Sequence, residues 1–189
     1  MSEPPRDALV ALLARHDPAD DDEASSLERM RRYTETLERP FSPSQPEAHF
    51  TGSALVVDPS GTRVCLVHHR KLGRWLQPGG HADPADGGRM EVTAAREARE
   101  ETGLDVAPHP AAPVPLDVDV HAIPARGDVA GHLHLDVRLV LVADGDPAHD
   151  EAESHGARWF TLDEADALAD AHDLHRLFAK ARALAARAS

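Results

Sequence analysis

The sequence is poor in several features that define whole classes of protein. It holds a single cysteine, Cys65, which excludes an internal disulfide and a zinc site built from several thiolates. This usage suits a reducing compartment, and we expect a cytoplasmic location. The apolar run near the start, residues 8–14, is too short to span a bilayer, and the acidic Glu3 and Asp7 do not suit a secretion leader. We therefore expect no membrane partner.

Positive charge is also scarce. Lysine and arginine number 20 against 33 aspartate and glutamate residues, which gives a formal net charge of -13 at pH 7. Such a chain repels nucleic-acid phosphates, so we expect no nucleic-acid polymer as a partner. An acidic protein can still act on a small phosphate-containing molecule if its carboxylates hold cations that reverse the local field.

The 189 residues fit one compact domain preceded by an extension. Two helical patterns, at 5–15 and 23–37, are followed at 41–46 by a linker that contains proline and serine. We therefore divide the chain into an N-terminal helical extension with its linker, residues 1–48, and a main domain, residues 49–189. The extension is also the segment that could mediate a homodimer.

The main domain is predicted to mix strands and helices. A hairpin is indicated at 53–57 and 63–69, joined by a turn that contains Pro59 and Gly61. Alternating apolar residues predict strands near 114–120 and 133–141, with a short strand at 157–161. Helices are predicted at 91–102, 162–168 and 173–187, and Gly103 is suited to end the first of them. This order predicts an α+β or sandwich fold rather than a doubly wound sheet.

The segment 96–104, REAREETGL, carries the strongest chemical signal. On a helix, Glu97, Glu100 and Glu101 fall at i, i+3 and i+4 and share one face. Carboxylates this close repel one another unless a cation or an arginine neutralises them, and Mg²⁺ and Mn²⁺ prefer such oxygen ligands. Taken alone, however, the same string is common on solvent-exposed helices of mixed charge.

The surroundings of this segment resemble the signature of the Nudix hydrolases. That signature is a glycine, a loop with a glutamate, then Arg-Glu, an apolar residue, any residue, Glu-Glu, any residue, a glycine and an apolar residue. Here Pro78-Gly79-Gly80 lies upstream and Thr102-Gly103-Leu104 follows at once. The run at 68–83, HHRKLGRWLQPGGHAD, resembles a subgroup of bacterial Nudix proteins, and the resemblance covers about residues 50–181.

The resemblance implies a Nudix-like α/β/α sandwich with a mixed β-sheet. It also implies a metal-dependent hydrolase that cleaves a diphosphate bond in a nucleoside diphosphate linked to another moiety, or in a similar small molecule. In this family pattern, Arg96 orients a glutamate of the cluster. The residues implied as ligands of Mg²⁺ or Mn²⁺ are the Gly80 carbonyl, Glu97, Glu100 and Glu101.

The general base is a separate question, since the carboxylate that accepts the proton of the attacking water varies within such folds. The candidates are Glu97, Glu100 and the later loop residue Glu153. Isomerisation of isopentenyl diphosphate, which is performed on a similar fold, needs a catalytic cysteine. Because Cys65 lies in a predicted strand well before the glycine loop, we favour hydrolysis.

One part of the signature is altered. Between Gly80 and Arg96 the loop is two residues longer than the usual spacing, and Gly88 stands where the signature has its first glutamate. A catalytically impaired module that still binds a nucleotide or sugar nucleotide is therefore the alternative function. Three acidic residues are candidates for the missing supporting role: Asp83, Asp86 and Glu91.

A basic cluster precedes the glycine loop and is a candidate for substrate binding. Its members are Arg70, Lys71 and Arg74. Guanidinium and ammonium groups suit a phosphate, although surface solubility explains such a cluster equally well.

A histidine row is the second candidate for substrate binding. His132, His134 and Asp136 alternate along a predicted strand and so share one face. Such a face meets either a substrate cleft or solvent, and we take His132 and His134 as substrate-binding candidates. Imidazoles with a carboxylate are also typical of a zinc or iron site, which stays an alternative.

Overall fold

The computed structural model describes residues 4–148 and 154–188. Its helices are α1 (Asp7–Ala14), α2 (Asp21–Thr36), α3 (Met90–Thr102), α4 (Leu162–Leu168) and α5 (His172–Ala188). Its strands are β1 (Ala48–Val57), β2 (Arg63–His69), β3 (Arg74–Leu76), β4 (Gly79–His81), β5 (Ala107–Pro108), β6 (Asp117–Ile123), β7 (His132–Val142) and β8 (Ser154–Thr161). The fold is an α+β sandwich with a mixed sheet, which confirms the predicted fold class.

The chain divides into two compact units. The first comprises the described residues of Met1–Gly52, Gly80–Ala94 and Pro113–Leu139, and the second those of Ser53–Gly79, Ala95–Ala112 and Val140–Ser189. Helix α3 and strands β1 and β7 each contribute residues to both units. In the described ranges, no helix combines the length and the apolar character that crossing a membrane requires.

In the first unit, the N-terminal helices are tied to strand β6 by one buried carboxylate. Asp20 begins α2 by accepting a hydrogen bond from the Glu23 amide, a typical N-cap. The Glu23 side chain is fully buried and accepts hydrogen bonds from His16 at 2.8 Å, from the Ala19 amide at 2.7 Å and from the Val118 amide at 3.2 Å. A buried carboxylate needs such partners, so this contact fixes α2 against β6.

The same unit contains the antiparallel pair of β6 and β7. Its register places Asp119 opposite Asp136 and His121 opposite His134. Strand β6 begins at Asp117, whereas the alternation had predicted a start near Val114. Two prolines, Pro113 and Pro115, precede the strand, and a proline cannot donate a backbone hydrogen bond to a neighbouring strand.

In the second unit, β2 is the central strand. It pairs antiparallel with β1, β3 and β8, and Cys65 has partners in both β1 and β8. The predicted hairpin between β1 and β2 is confirmed. Asp58 holds its turn by accepting hydrogen bonds from the amides of Thr62 and Arg63, both at 2.9 Å. Burial alone would raise the pKa of Asp58, but hydrogen bonds from Arg63, Ser60 and Thr62 outweigh it and lower the pKa below its usual value.

Candidate functional site

The carboxylate cluster lies on the last two turns of α3, in the second unit. The Arg96 guanidinium donates hydrogen bonds to Glu97 at 2.8 Å and to Glu100 at 3.0 Å. The Glu97 side chain is 13 % exposed and the Glu100 side chain 54 % exposed. One arginine therefore offsets the mutual repulsion of two glutamates, and one of these carboxylates is open to solvent.

Glu101 binds the glycine loop. Its Oε2 accepts a hydrogen bond of 2.9 Å from the Gly79 amide. The helix ends directly afterwards, because Gly103 adopts φ 65° and its amide bonds back to Arg99, the left-handed conformation expected after a helix. The structure thus brings Arg96 into contact with Glu97 and Glu100, whereas the i, i+3, i+4 spacing had grouped Glu97, Glu100 and Glu101.

Two further residues, Gly80 and Glu153, are predicted to belong to this site. Gly80 follows Gly79 in strand β4, and the role of its carbonyl as a metal ligand stays a prediction. Glu153, a candidate general base, lies outside the described residues.

The altered loop between the glycines and α3 is held by Asp86, in the first unit. This residue closes a single 3-10 turn, Pro84–Asp86, and is 2 % exposed. Its Oδ2 accepts hydrogen bonds from the Asp83 amide and from the Thr93 hydroxyl, both at 2.9 Å. Asp86 therefore joins the loop to the first half of α3, whereas Asp83 only caps the turn and Glu91 is exposed.

Gly88 cannot be replaced by the glutamate of the signature. It is buried with φ +73°, and a Cβ atom there would lie 2.8 Å from the Pro5 carbonyl oxygen and 3.1 Å from the Phe41 ring. We expect Gly88→Glu to destabilise the fold by more than about 2 kcal/mol in urea unfolding, through left-handed strain and overpacking. Gly87→Ala is the matched control.

Gly87 has φ +64°, and a Cβ atom at this position would meet no other atom within 4 Å. The control therefore isolates the conformational cost of about 1 kcal/mol from the clash. If Gly88→Glu were no less stable than Gly87→Ala, the steric account of the altered signature would be wrong.

A cluster of imidazoles lies in the first unit. The ring of His49, in β1, is 4.9 Å from the ring of His132 and 4.8 Å from that of His134. The His81 ring, in β4, lies 5.0 Å from His49 and 5.2 Å from His134. His121, opposite His134 on β6, is 5.6 Å from it and binds Asp119. The row predicted on β7 therefore belongs to a larger histidine face.

These imidazoles disfavour one another's protonated forms. Burial and the charges of His81 and His132 lower the pKa of His49 to about 4. Burial and the charges of His49, His81, His121 and His132 lower the pKa of His134 to about 2. Both rings are accordingly neutral at neutral pH.

Asp136 does not complete a metal site with the two histidines of its strand. Its Oδ1 accepts a hydrogen bond from the Thr51 hydroxyl at 3.1 Å, and its Oδ2 accepts one from the Arg138 guanidinium at 3.0 Å. Arg138 is 2 % exposed and also contacts Asp117 and Asp119. The carboxylate that the alternation suggested as a metal ligand is thus engaged in a buried ion-pair network.

The basic cluster lies at the turn between β2 and β3 and in β3 itself, in the second unit. Arg70 and Lys71 are exposed. Arg74 is partly exposed and forms an ion pair with Asp170, which follows α4. The two turn residues are therefore the more accessible cations of this cluster.

Cys65 is excluded as a nucleophile. It is fully buried in β2, and burial raises the pKa of its thiol to about 12. Because the thiolate is the reactive form, this residue is inert at neutral pH. The finding agrees with the preference for hydrolysis over a cysteine-dependent isomerisation.

Comparisons with known proteins indicate one family and its fold. The family model described as the NUDIX domain matches residues 49–181. A C. elegans Ap4A hydrolase, solved as a binary complex, has a TM-score of 0.52 and 20% identity, covering 72% of this chain and 97% of its own. A NUDIX-family hydrolase from Clostridium perfringens has a TM-score of 0.50 and 22% identity, covering 72% and 97%. None of the curated proteins compared with the chain matches it.

Proposed function

The chain belongs to the Nudix family and is a pyrophosphohydrolase in the general sense, and we propose that it uses Mg²⁺ or Mn²⁺ to cleave a diphosphate bond in a small molecule. The substrate class proposed is a nucleoside diphosphate linked to another moiety, or a similar compound. The observation that carries the proposal is the presentation of Glu97, Glu100 and Glu101 by one helix, with Arg96 bound to the first two and Gly79 to the third.

The donor set fits a hard divalent cation. Three carboxylates on adjacent turns supply the oxygen ligands that Mg²⁺ and Mn²⁺ prefer, and the Gly80 carbonyl is the fourth ligand proposed. When bound, such ions neutralise the diphosphate oxygens and activate a water molecule for attack on phosphorus. A cation would also share with Arg96 the role of offsetting the negative charge of the cluster.

Side chains of the protein have the remaining roles in the proposed reaction. Arg96 orients Glu97 and Glu100 through its two hydrogen bonds. Glu101 positions the glycine loop through the Gly79 amide. A carboxylate accepts the proton of the attacking water, and we keep Glu97, Glu100 and Glu153 as candidates. Arg70 and Lys71 are proposed to meet the phosphate groups, since they are exposed cations of the second unit.

The alternative is a module that binds a nucleotide or sugar nucleotide without turnover. The replacement of the first signature glutamate by Gly88 motivates it. The contacts of Asp86 favour the active enzyme, because a buried carboxylate still fastens the loop to α3. A cytoplasmic location and a homodimer remain predictions.

The test is a panel of nucleoside diphosphate derivatives incubated with the purified protein and Mg²⁺ or Mn²⁺. We expect phosphate-containing products that require the metal and disappear in a Glu100→Gln Glu101→Gln variant. The matched control is Glu28→Gln Glu35→Gln, which removes the same charge from exposed positions of α2. Tight binding of a panel member without any cleavage by the wild-type protein would support the binding module instead.

A further inference from the structure

Three histidines of the first unit form a group with the spacing of metal ligands. One ring nitrogen each of His49, His132 and His134 lies within 4.8 Å of the other two. Around a tetrahedral Zn²⁺ ion with Zn–N bonds of about 2.0–2.1 Å, such nitrogens are about 3.3 Å apart. Small rotations of the rings, with atomic shifts under about 1 Å, would therefore close the group around an ion.

His49 provides an independent indication of a ligand. It is 1 % exposed, and neither Nδ1 nor Nε2 has a hydrogen-bond partner. The backbone of Gln45 acts to raise the pKa of His49, but the contact between them does not have the geometry of a hydrogen bond. A buried polar group without a partner carries a desolvation cost of about 1–3 kcal/mol. A metal ion bound by one nitrogen of this ring would offset that cost.

The tautomer of His132 also suits a metal ligand. Its Nδ1 lies 2.9 Å from the Ala130 carbonyl oxygen. A carbonyl only accepts hydrogen bonds, so in the neutral ring the proton resides on Nδ1 and Nε2 carries the lone pair. Ligating histidines are held in this way by a second hydrogen bond to a carbonyl or carboxylate, which fixes the ring and raises its basicity.

The chemistry of the group separates it from the glutamate cluster. Neutral imidazoles bind zinc, copper, iron or nickel, whereas Mg²⁺ and Mn²⁺ favour oxygen ligands. Asp136 is bound to Thr51 and Arg138, so the third ligand of the group is His49 and not Asp136.

We propose that His49, His132 and His134 bind a transition-metal ion, best matched by Zn²⁺, with a fourth coordination position left to water or another ligand. This site is additional to the Mg²⁺ or Mn²⁺ site proposed on α3. Three histidines with one open position are a common ligand set of zinc sites that bind a small molecule. His81, whose ring lies against His49 and His134, borders the ion.

The test measures Zn²⁺ binding by metal-free full-length protein, by calorimetry and thermal unfolding, with excess Mg²⁺ to occupy carboxylates. The Glu100→Gln Glu101→Gln background removes the other metal site, so the result does not depend on hydrolysis. We expect one Zn²⁺ per chain and a Tm rise of about 5–10 °C at a hundredfold excess over Kd. Bound Co²⁺ should give the visible spectrum of a four-coordinate ion.

Two variants identify the ligands. His49→Phe removes the unpaired nitrogens but keeps a ring of similar volume, so the metal-free Tm should not fall while Zn²⁺ affinity drops at least about 100-fold. His132→Ala, at a half-buried position, should lose Zn²⁺ affinity to a similar extent. This variant tests the proposal if His49→Phe misfolds. His109→Asn, outside the group, should bind as the wild type does.

The His109→Asn control is needed because the chain has 13 histidines, any of which can bind zinc weakly. Stoichiometric binding that survives both ligand variants would overturn the proposal. So would the absence of saturable Zn²⁺ binding in the wild-type protein.

Discussion

Replacement of Glu101 by glutamine is expected to lower kcat by about 100- to 1,000-fold, because a neutral amide no longer binds the divalent cation or offsets its charge. The glutamine keeps a carbonyl oxygen that can accept the Gly79 hydrogen bond of 2.9 Å. The variant therefore separates the charge of Glu101 from its contact with the glycine loop. The measurement is steady-state hydrolysis of the substrate found in the panel, at several Mg²⁺ concentrations.

Two further variants separate the charge of Glu101 from its hydrogen bond and from the substitution itself. Glu101→Ala removes the acceptor as well, so we expect the same loss of kcat with an added rise in KM if the loop positions the substrate. Glu28→Gln, an exposed glutamate on α2, should leave both constants unchanged. Turnover by Glu101→Gln within threefold of the wild type would remove Glu101 from the proposed metal ligands, since a lost ligand costs several kcal/mol.

Helix α3 and its glutamates could be predicted from the sequence because the information is local. A helix places residues at i, i+3 and i+4 on one face whatever surrounds it, and the observed α3 carries Glu97, Glu100 and Glu101 at this spacing. The same holds for the hairpin of β1 and β2, whose turn residues fix its register. Strands β3, β4 and β5, of two or three residues, are too short to show an alternation.

The histidine group could be predicted only in part because it depends on pairing between distant segments. The alternation on β7 places His132 and His134 together, but His49 stands alone in an apolar strand and no local spacing marks it. Its position beside them follows from the neighbouring order of β1 and β7 in the sheet. The same strand order places Thr51 against Asp136, which is why the carboxylate predicted as a possible ligand is engaged elsewhere.

The choice between Asp83, Asp86 and Glu91 was also beyond the sequence. All three are acidic and near Gly88, and only the path of the loop distinguishes them. The 3-10 turn at Pro84–Asp86 directs Asp86 inward to Thr93, while Glu91 is left on the surface. Backbone geometry, which two extra residues change, decides which side chain is buried.

Arg138→Met is expected to lower the free energy of unfolding by about 3–5 kcal/mol, because it removes the cation from a buried charge network. The Arg138 side chain is 2 % exposed and contacts Asp117 at 3.2 Å, Asp136 at 3.0 Å and Asp119 at 3.5 Å. The Asp117 side chain is fully buried and that of Asp136 is 6 % exposed. Methionine fills similar space but leaves these carboxylates without the guanidinium.

The measurement is urea unfolding of Arg138→Met beside the control Arg126→Met, which changes an exposed arginine of the β6–β7 connection. The control distinguishes the lost charge pairing from the effect of replacing an arginine by a methionine. The control should change stability by less than about 0.5 kcal/mol. Adding Asp117→Asn to Arg138→Met should recover part of the loss, since one uncompensated charge then disappears. Equal stability of Arg138→Met and Arg126→Met would mean that solvent or other groups already neutralise the three aspartates, and that the arginine does not hold β6 against β7.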